Sequence, residues 1–336
     1  MLRMPVAVRS FAKINLGLRI GAKRDDGFHE LRTLYQTIAL HDKVKIDVSS
    51  GTGIEIRSKH PQVPCDETNT CYRIAERVLR VLKARHKVVI QIEKNLPVQG
   101  GLGAASSNAI AAMLALERVL KTRIPPEEKL RLAADVGSDL PLFLLGGTIL
   151  GVSRGEEVYG MPDVPQLWCV VAIPRVAVST PKAFADWDEQ PWVAASASGQ
   201  KLTPSAKSDT LNEFHRSVFA ALGSQNHAGF PSGVPAKKSG DRAEALLLDL
   251  VRAGIENDFE RVVFPQYPEL RDIKRALERH GAKYASLSGS GSAVYGLFRS
   301  KQLAEQAASR LLKNGISAQA TATLTRKQYW ERLFKE

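Results

Sequence analysis

Asn95-Leu96-Pro97-Val98-Gln99-Gly100-Gly101-Leu102-Gly103-Ala104-Ala105-Ser106-Ser107-Asn108 is the stretch on which the fold of this chain turns. Before it, Val88-Val89-Ile90-Gln91-Ile92 is short and β-branched, the pattern of a strand. After it, Ile110, Met113, Leu114, Leu116, Val119 and Leu120 recur at helical spacing and predict an amphipathic helix of about three turns. Between them the residues are glycines, then alanines and serines, small side chains where a helix begins. Such residues let a phosphate approach the backbone, and the unpaired N–H groups of a first helical turn point at it. A tight turn or a close packing contact would use the same glycines. The segment lacks the G-x-x-x-x-G-K-[ST] pattern, and Gly101 to Ser106 lacks the last glycine of a dinucleotide fingerprint.

The chain has 336 residues, enough for one large or two medium domains, and is 44% hydrophobic and 24% charged, the composition of an ordinary globular protein. Its longest apolar stretch, Pro141 to Val152, carries three glycines and is too short to span a bilayer. Met1-Leu2-Arg3-Met4-Pro5 has no apolar core of a secretory signal, so a cytoplasmic protein without membrane partners is expected. Cys65, Cys71 and Cys169 have no metal-ligand spacing, and their odd number argues against a disulfide framework. The net charge of +12 raises the alternative of a basic, non-catalytic nucleic-acid-binding scaffold. The basic residues are scattered and have few aromatics among them, so no nucleic-acid partner is expected.

In chain order, Val6 to Ser10 and Lys13 to Ile20 read as strands, with Lys13 and Asn15 on one face and Ile14 and Leu16 on the other. A lysine and an asparagine sharing a strand face ordinarily mark a solvated edge. Strands are also expected at Leu31 to Ile38, Val44 to Val48 and Ile54 to Arg57, and a helix over Asn69 to Leu82. Pro125-Pro126-Glu127-Glu128 opens a further helix that ends near Gly137. Asp139 follows in Gly137-Ser138-Asp139-Leu140-Pro141, where an aspartate can simply turn the chain. Strands near Ile149 and over Leu167 to Ile173 are expected to complete a first domain. The segments 187–207 and 223–241 are rich in Ser, Gly, Ala and Pro and read as flexible insertions. Helix Leu270 to His280, then a strand, glycine turn and strand over Tyr284 to Tyr295, a helix Gln302 to Lys313 and a strand Ala318 to Leu324 follow.

Pro97-x-x-Gly100-Gly101-Leu102-Gly103-x-x-Ser106-Ser107 resembles the phosphate loop of the GHMP kinases. Ala12-Lys13-Ile14-Asn15-Leu16 with Asp26-Gly27-Phe28-His29, Gly137-Ser138-Asp139-Leu140-Pro141, and Ser288-Gly289-Ser290-Gly291-Ser292 resemble further motifs of that family, in its order. One branch, acting on a cytidine-diphosphate-linked methylerythritol, usually has Asp-Gly-Tyr-His at the second segment, and other branches lack it.

The resemblance implies an α+β, two-domain GHMP kinase fold: residues 1–175 forming a ribosomal-protein-S5-like α/β domain, and 176–336 a ferredoxin-like α+β domain carrying the insertions. It implies an ATP-dependent kinase that uses Mg²⁺ and phosphorylates the 2-hydroxyl of that cytidine diphosphate derivative, a small-molecule substrate, on the non-mevalonate route to isoprenoid precursors. A homoserine- or mevalonate-type kinase is the alternative within the family, and a monomer or homodimer is expected. By the same resemblance Asp139 is the general base and Lys13 lies beside it and the γ-phosphate. Pro97, Val98, Gln99, Gly100, Gly101, Leu102, Gly103, Ala104, Ala105, Ser106 and Ser107 bind ATP. Asn15 contacts the substrate hydroxyls, Phe28 stacks on the pyrimidine with Phe184 opposite it, His29 bonds the base edge, and Thr180 lies by the substrate. Phe28 stands where the family usually has tyrosine. Ala104 and Ala105 stand where some members place a metal-binding serine, so no metal ligand is assigned.

Overall fold

The computed structural model describes residues 4–191 and 255–335. It opens with a long antiparallel hairpin, β1 (Val6–Lys23) and β2 (His29–Ser49). The sequence pattern divides each of these strands in two because bulges after Phe11, Asn15 and Ile20 break the alternation; the ladder itself continues across them. β2 is the spine. Its first half pairs with β5 (Thr148–Val152) and its second half with β4 (Lys87–Glu93), on which β3 (Gly53–Ser58) lies in parallel; β6 (Glu157–Gly160) pairs with β5.

Helix α1 (Thr70–Val81), capped by the Asn69 side chain, packs on α2 (Ala104–Leu120). The amphipathic helix expected after the glycine loop is longer and different in kind. It has 17 residues and is buried almost all round, between β1 and β2 on one side and α1 on the other. α3 (Pro126–Val136) follows, and a short 3₁₀ turn, Pro141–Leu144, packs Phe143 into the core.

The second sheet has the order β10 (Ser317–Ala322), β7 (Trp168–Ile173), β9 (Val294–Phe298), β8 (Tyr284–Leu287). The strand expected over Leu167 to Ile173 is therefore not the close of the first sheet; it sits inside the second, between β10 and β9. One face of this sheet packs on β1 and β2, where Tyr295 and Leu297 meet Ile14, Leu16, Leu34 and Ile38. α5 (Glu260–Gln266), α6 (Pro268–Arg279) and α7 (Lys301–Lys313) cover the other face with α4 (Thr180–Asp188). Trp187, expected at the head of a flexible insertion, is a buried residue of α4. Most of the segment 187–207 and all of 223–241 lie outside the described residues. A last helix unread in the sequence, α8 (Arg326–Leu333), returns to the first core through Tyr329 and Leu333.

Candidate active site

Lys13 and Asn15 share a face of β1, but that face is buried rather than solvated. The Lys13 N–H donates to the Leu102 carbonyl at 3.0 Å, tying the strand to the glycine loop. Its Nζ donates to Asn15 Oδ1 at 2.7 Å and lies 3.4 Å from Asp139 Oδ2. Asn15 Nδ2 donates to Thr33 Oγ1 at 2.7 Å. Each end of the Asn15 amide thus makes one bond and its oxygen holds the lysine in place, while the residue, expected to meet substrate hydroxyls, lines the larger cleft.

The lysine side chain is 4% exposed and that of Asp139 33%, so the carboxylate is the member of the pair open to a ligand. Asp139 reaches this position on the turn after α3, where the Leu140 N–H donates to the Gly137 carbonyl at 3.2 Å. The following 3₁₀ turn is braced by α8, whose Tyr329 hydroxyl donates to the Phe143 carbonyl at 2.7 Å. The Tyr35 hydroxyl, absent from the sequence candidates, donates to Asp139 Oδ1 at 3.1 Å. Burial, with the Asp139 charge beside it, raises this hydroxyl well above the ordinary tyrosine range, so it remains a protonated donor. Only the β1–β2 register, which sets Tyr35 opposite Asn15, could have revealed it.

Gly103, with φ +68°, precedes α2 and supplies no side-chain cap, so the N–H groups of Ala104, Ala105 and Ser106 are left for a ligand. Gly101 is pressed against the second glycine loop: Ser288 Oγ donates to its carbonyl at 2.9 Å, and the Ala293 N–H to the Gly100 carbonyl at 3.1 Å. A Cβ on Gly101 would overlap the Ser288 carbonyl oxygen, and its φ is +73°. Gly101→Ala is therefore expected to cost about 1–3 kcal/mol of stability, from strain at a positive φ and the forced parting of two loops. Urea denaturation measures it; an unchanged midpoint would mean the loops are free to separate.

A cleft of about 370 Å³ lies over the first loop, bounded also by Val63, Pro64, Lys94 and Asn108. Asn108 Nδ2 donates to the buried Asp42 carboxylate at 3.0 Å, which fixes the orientation of its amide, and Asn108 Oδ1 is buried without a hydrogen-bond partner. A second cleft, of about 670 Å³, contains Lys13 and Asp139. The two clefts share Gly101 and Ser106. Ligands in both would therefore meet beside the Lys13–Asp139 pair.

At the far end of the larger cleft Phe28 is half exposed, with the Arg154 guanidinium 4.9 Å from its ring centre. Phe184, which lines the same cleft, stacks on His29, with centroids 5.0 Å apart and an angle of 9° between the planes. His29 Nε2 lies 2.7 Å from Asp188 Oδ1. Thr180 Oγ1 lies 2.7 Å from Ser290 Oγ, joining α4 to the second glycine loop within the same cleft. Arg154, Asp188 and Lys23 belong to no motif, and nothing in the sequence pattern pointed to them. Among the described residues no group of three or more His, Cys, Asp or Glu side chains could hold a metal ion, and no helix is long and apolar enough to cross a membrane.

Comparison with known proteins agrees with this geometry. Residues 69–147 match the GHMP kinases N terminal domain and residues 242–317 the GHMP kinases C terminal domain. The chain is 36% identical over 333 residues to the 4-diphosphocytidyl-2-C-methyl-D-erythritol kinase of Solibacter usitatus, covering 98% of this chain and 93% of that protein. It is 33% identical to the kinase of the same name from Acaryochloris marina, over 89% of each chain. A crystal structure of 4-(cytidine 5'-diphospho)-2C-methyl-D-erythritol kinase superposes with a TM-score of 0.69 at 26% identity, over 94% of this chain and 98% of that one.

Proposed function

The chain belongs to the GHMP kinases, and we propose that it transfers the γ-phosphoryl group of ATP to the 2-hydroxyl of 4-diphosphocytidyl-2-C-methyl-D-erythritol, a step of the non-mevalonate route to isoprenoid precursors. One observation carries this reading: two clefts, one over an uncapped helix N-terminus and one lined by aromatic rings, meet at a buried lysine and a half-open carboxylate.

Phosphoryl transfer to an alcohol asks for charge neutralisation, in-line placement and removal of a proton. The N–H groups at the start of α2 would receive the phosphate oxygens. The open part of the Asp139 carboxylate would accept the hydroxyl proton as the oxygen attacks, while Tyr35 and Lys13 hold the carboxylate in place. The Lys13 ammonium, itself buried, offsets negative charge on the transferring phosphoryl group. Mg²⁺ supplies further charge neutralisation when it arrives with ATP. Ala104 and Ala105 would offer it no side-chain ligand at the positions where some family members place a serine.

The direct test is ATP turnover with three acceptors: 4-diphosphocytidyl-2-C-methyl-D-erythritol, homoserine and mevalonate. Turnover with the first alone is expected. Turnover with one of the others instead would keep the family and reject the substrate, and turnover with none would return the chain to a non-catalytic role.

A further inference from the structure

His29 is buried, lines the larger cleft and has its ring plane fixed by the parallel face of Phe184. Its Nε2 is held 2.7 Å from Asp188 Oδ1, while the other oxygen of that carboxylate takes the Lys23 ammonium at 3.0 Å. An ionised carboxylate can only accept hydrogen bonds, so at that distance Nε2 must carry the proton. In a neutral imidazole the proton on one nitrogen leaves a lone pair on the other. Among the described residues no group bonds Nδ1, which is therefore left for whatever fills the cleft.

We propose that Asp188 is a positioning residue that fixes the tautomer of His29, so that the Nδ1 lone pair selects a ring bearing an exocyclic amino group and opposes one bearing a carbonyl at that place. The inference rests on the reading of the larger cleft as a cytidine diphosphate site, and it extends that reading to the difference between cytosine and uracil. An amino group donates to the lone pair. A carbonyl would set acceptor against acceptor within the cleft, which is how a hydrogen-bonding site rejects a near-isostere. The same logic is met at metal sites, where a carboxylate behind a histidine fixes which nitrogen faces the ligand. Asp188 is the last residue of α4, the helix that also supplies Phe184, so one element sets both the plane of the imidazole and its proton.

The test combines spectroscopy with turnover on the full chain. Long-range proton–nitrogen correlations on ¹⁵N-histidine-labelled protein, with His29 assigned by its loss in His29→Gln, should show wild-type His29 neutral and protonated on Nε2. In Asp188→Leu the two tautomers should mix. The preference of the wild type for the cytidine over the uridine diphosphate substrate should fall by about tenfold or more, the loss of one oriented hydrogen bond. That fall should lie in KM, with kcat within about twofold, because the reacting atoms are untouched. Asp188→Asn, whose carbonyl can still accept from Nε2–H, should recover part of the preference and serves as the readout if the leucine variant fails to fold.

A wild-type His29 that is doubly protonated, or protonated on Nδ1, overturns the proposal. So does an Asp188→Leu variant that keeps the full cytidine preference. A wild type that phosphorylates neither diphosphate overturns the kinase reading instead, and the spectrum still reports the tautomer.

Discussion

Asn in place of Asp139 is expected to lower kcat by at least about a hundredfold, the usual worth of a positioned general base, while KM for both substrates stays within about threefold. The asparagine has the same shape, and its carbonyl oxygen can accept from either the Tyr35 hydroxyl or Lys13 Nζ, the two groups that reach the carboxylate at 3.1 and 3.4 Å. What it cannot do is take a proton at neutral pH. Tyr35 is no substitute, since its hydroxyl is already raised well above the ordinary range by burial and by the charge it faces. Removing that charge leaves the burial in force, and a buried phenol remains a poor base. Steady-state turnover beside the wild type, with circular dichroism to show that the fold is kept, checks the expectation. A variant retaining more than a tenth of the wild-type kcat would mean that the hydroxyl loses its proton without help, and Asp139 would be reduced to orienting Lys13.

Asp139 and Lys13 were legible in the sequence for a physical reason: each sits in a short motif whose other members shape its backbone. Gly101 must accept a positive φ and a neighbouring carbonyl, and the turn at Gly137 must deliver an aspartate before a buried 3₁₀ segment. Such demands act over a few residues and leave a local trace. Tyr35 and Asp188 leave none, because their roles arise from the β1–β2 register and from α4 lying against the hairpin end. For the same reason the face of the strand that carries Asn15 was legible, but the two bonds of its amide were not. Thr33, which takes its amide, lies across the hairpin from Leu18, where a bulge has already shifted the register. The amphipathic reading of α2 failed because both sides of that helix are covered, and Ala109, Ala111, Ala112 and Ala115 are small enough to pass for a polar face by size alone. The strand over 168–173 was detected from its apolar run, but a run does not say which sheet receives it. That was settled by the pairing of β10 and β9 on either side.

Asp42→Ala should be the most destabilising of these substitutions, although Asp42 lies away from the reacting atoms. Its carboxylate is fully buried in the middle of β2 and accepts four hydrogen bonds: from Lys94 Nζ, Asn95 N–H and Leu96 N–H at 2.7 Å each, and from Asn108 Nδ2 at 3.0 Å. Asn95 and Leu96 begin the glycine loop, and Lys94 and Asn108 line the smaller cleft, so one side chain ties both to the central strand. Alanine would strand a buried ammonium and three N–H donors, a loss of about 3–5 kcal/mol in folding stability. Burial already holds the Lys94 ammonium below its ordinary value of 10.5, against the opposing pull of Asp42. Without Asp42 that pull is gone and the folded-state value drops further. Between that lowered value and 10.5 the unfolded chain binds more protons than the folded one, so stability of the variant rises with pH across this window. Denaturation of both proteins at a series of pH values should therefore show a deficit that is greatest near neutrality and narrows as Lys94 sheds its proton in the alkaline range. A deficit independent of pH would assign the loss to the unpaired backbone N–H groups of Asn95 and Leu96 and not to the lysine.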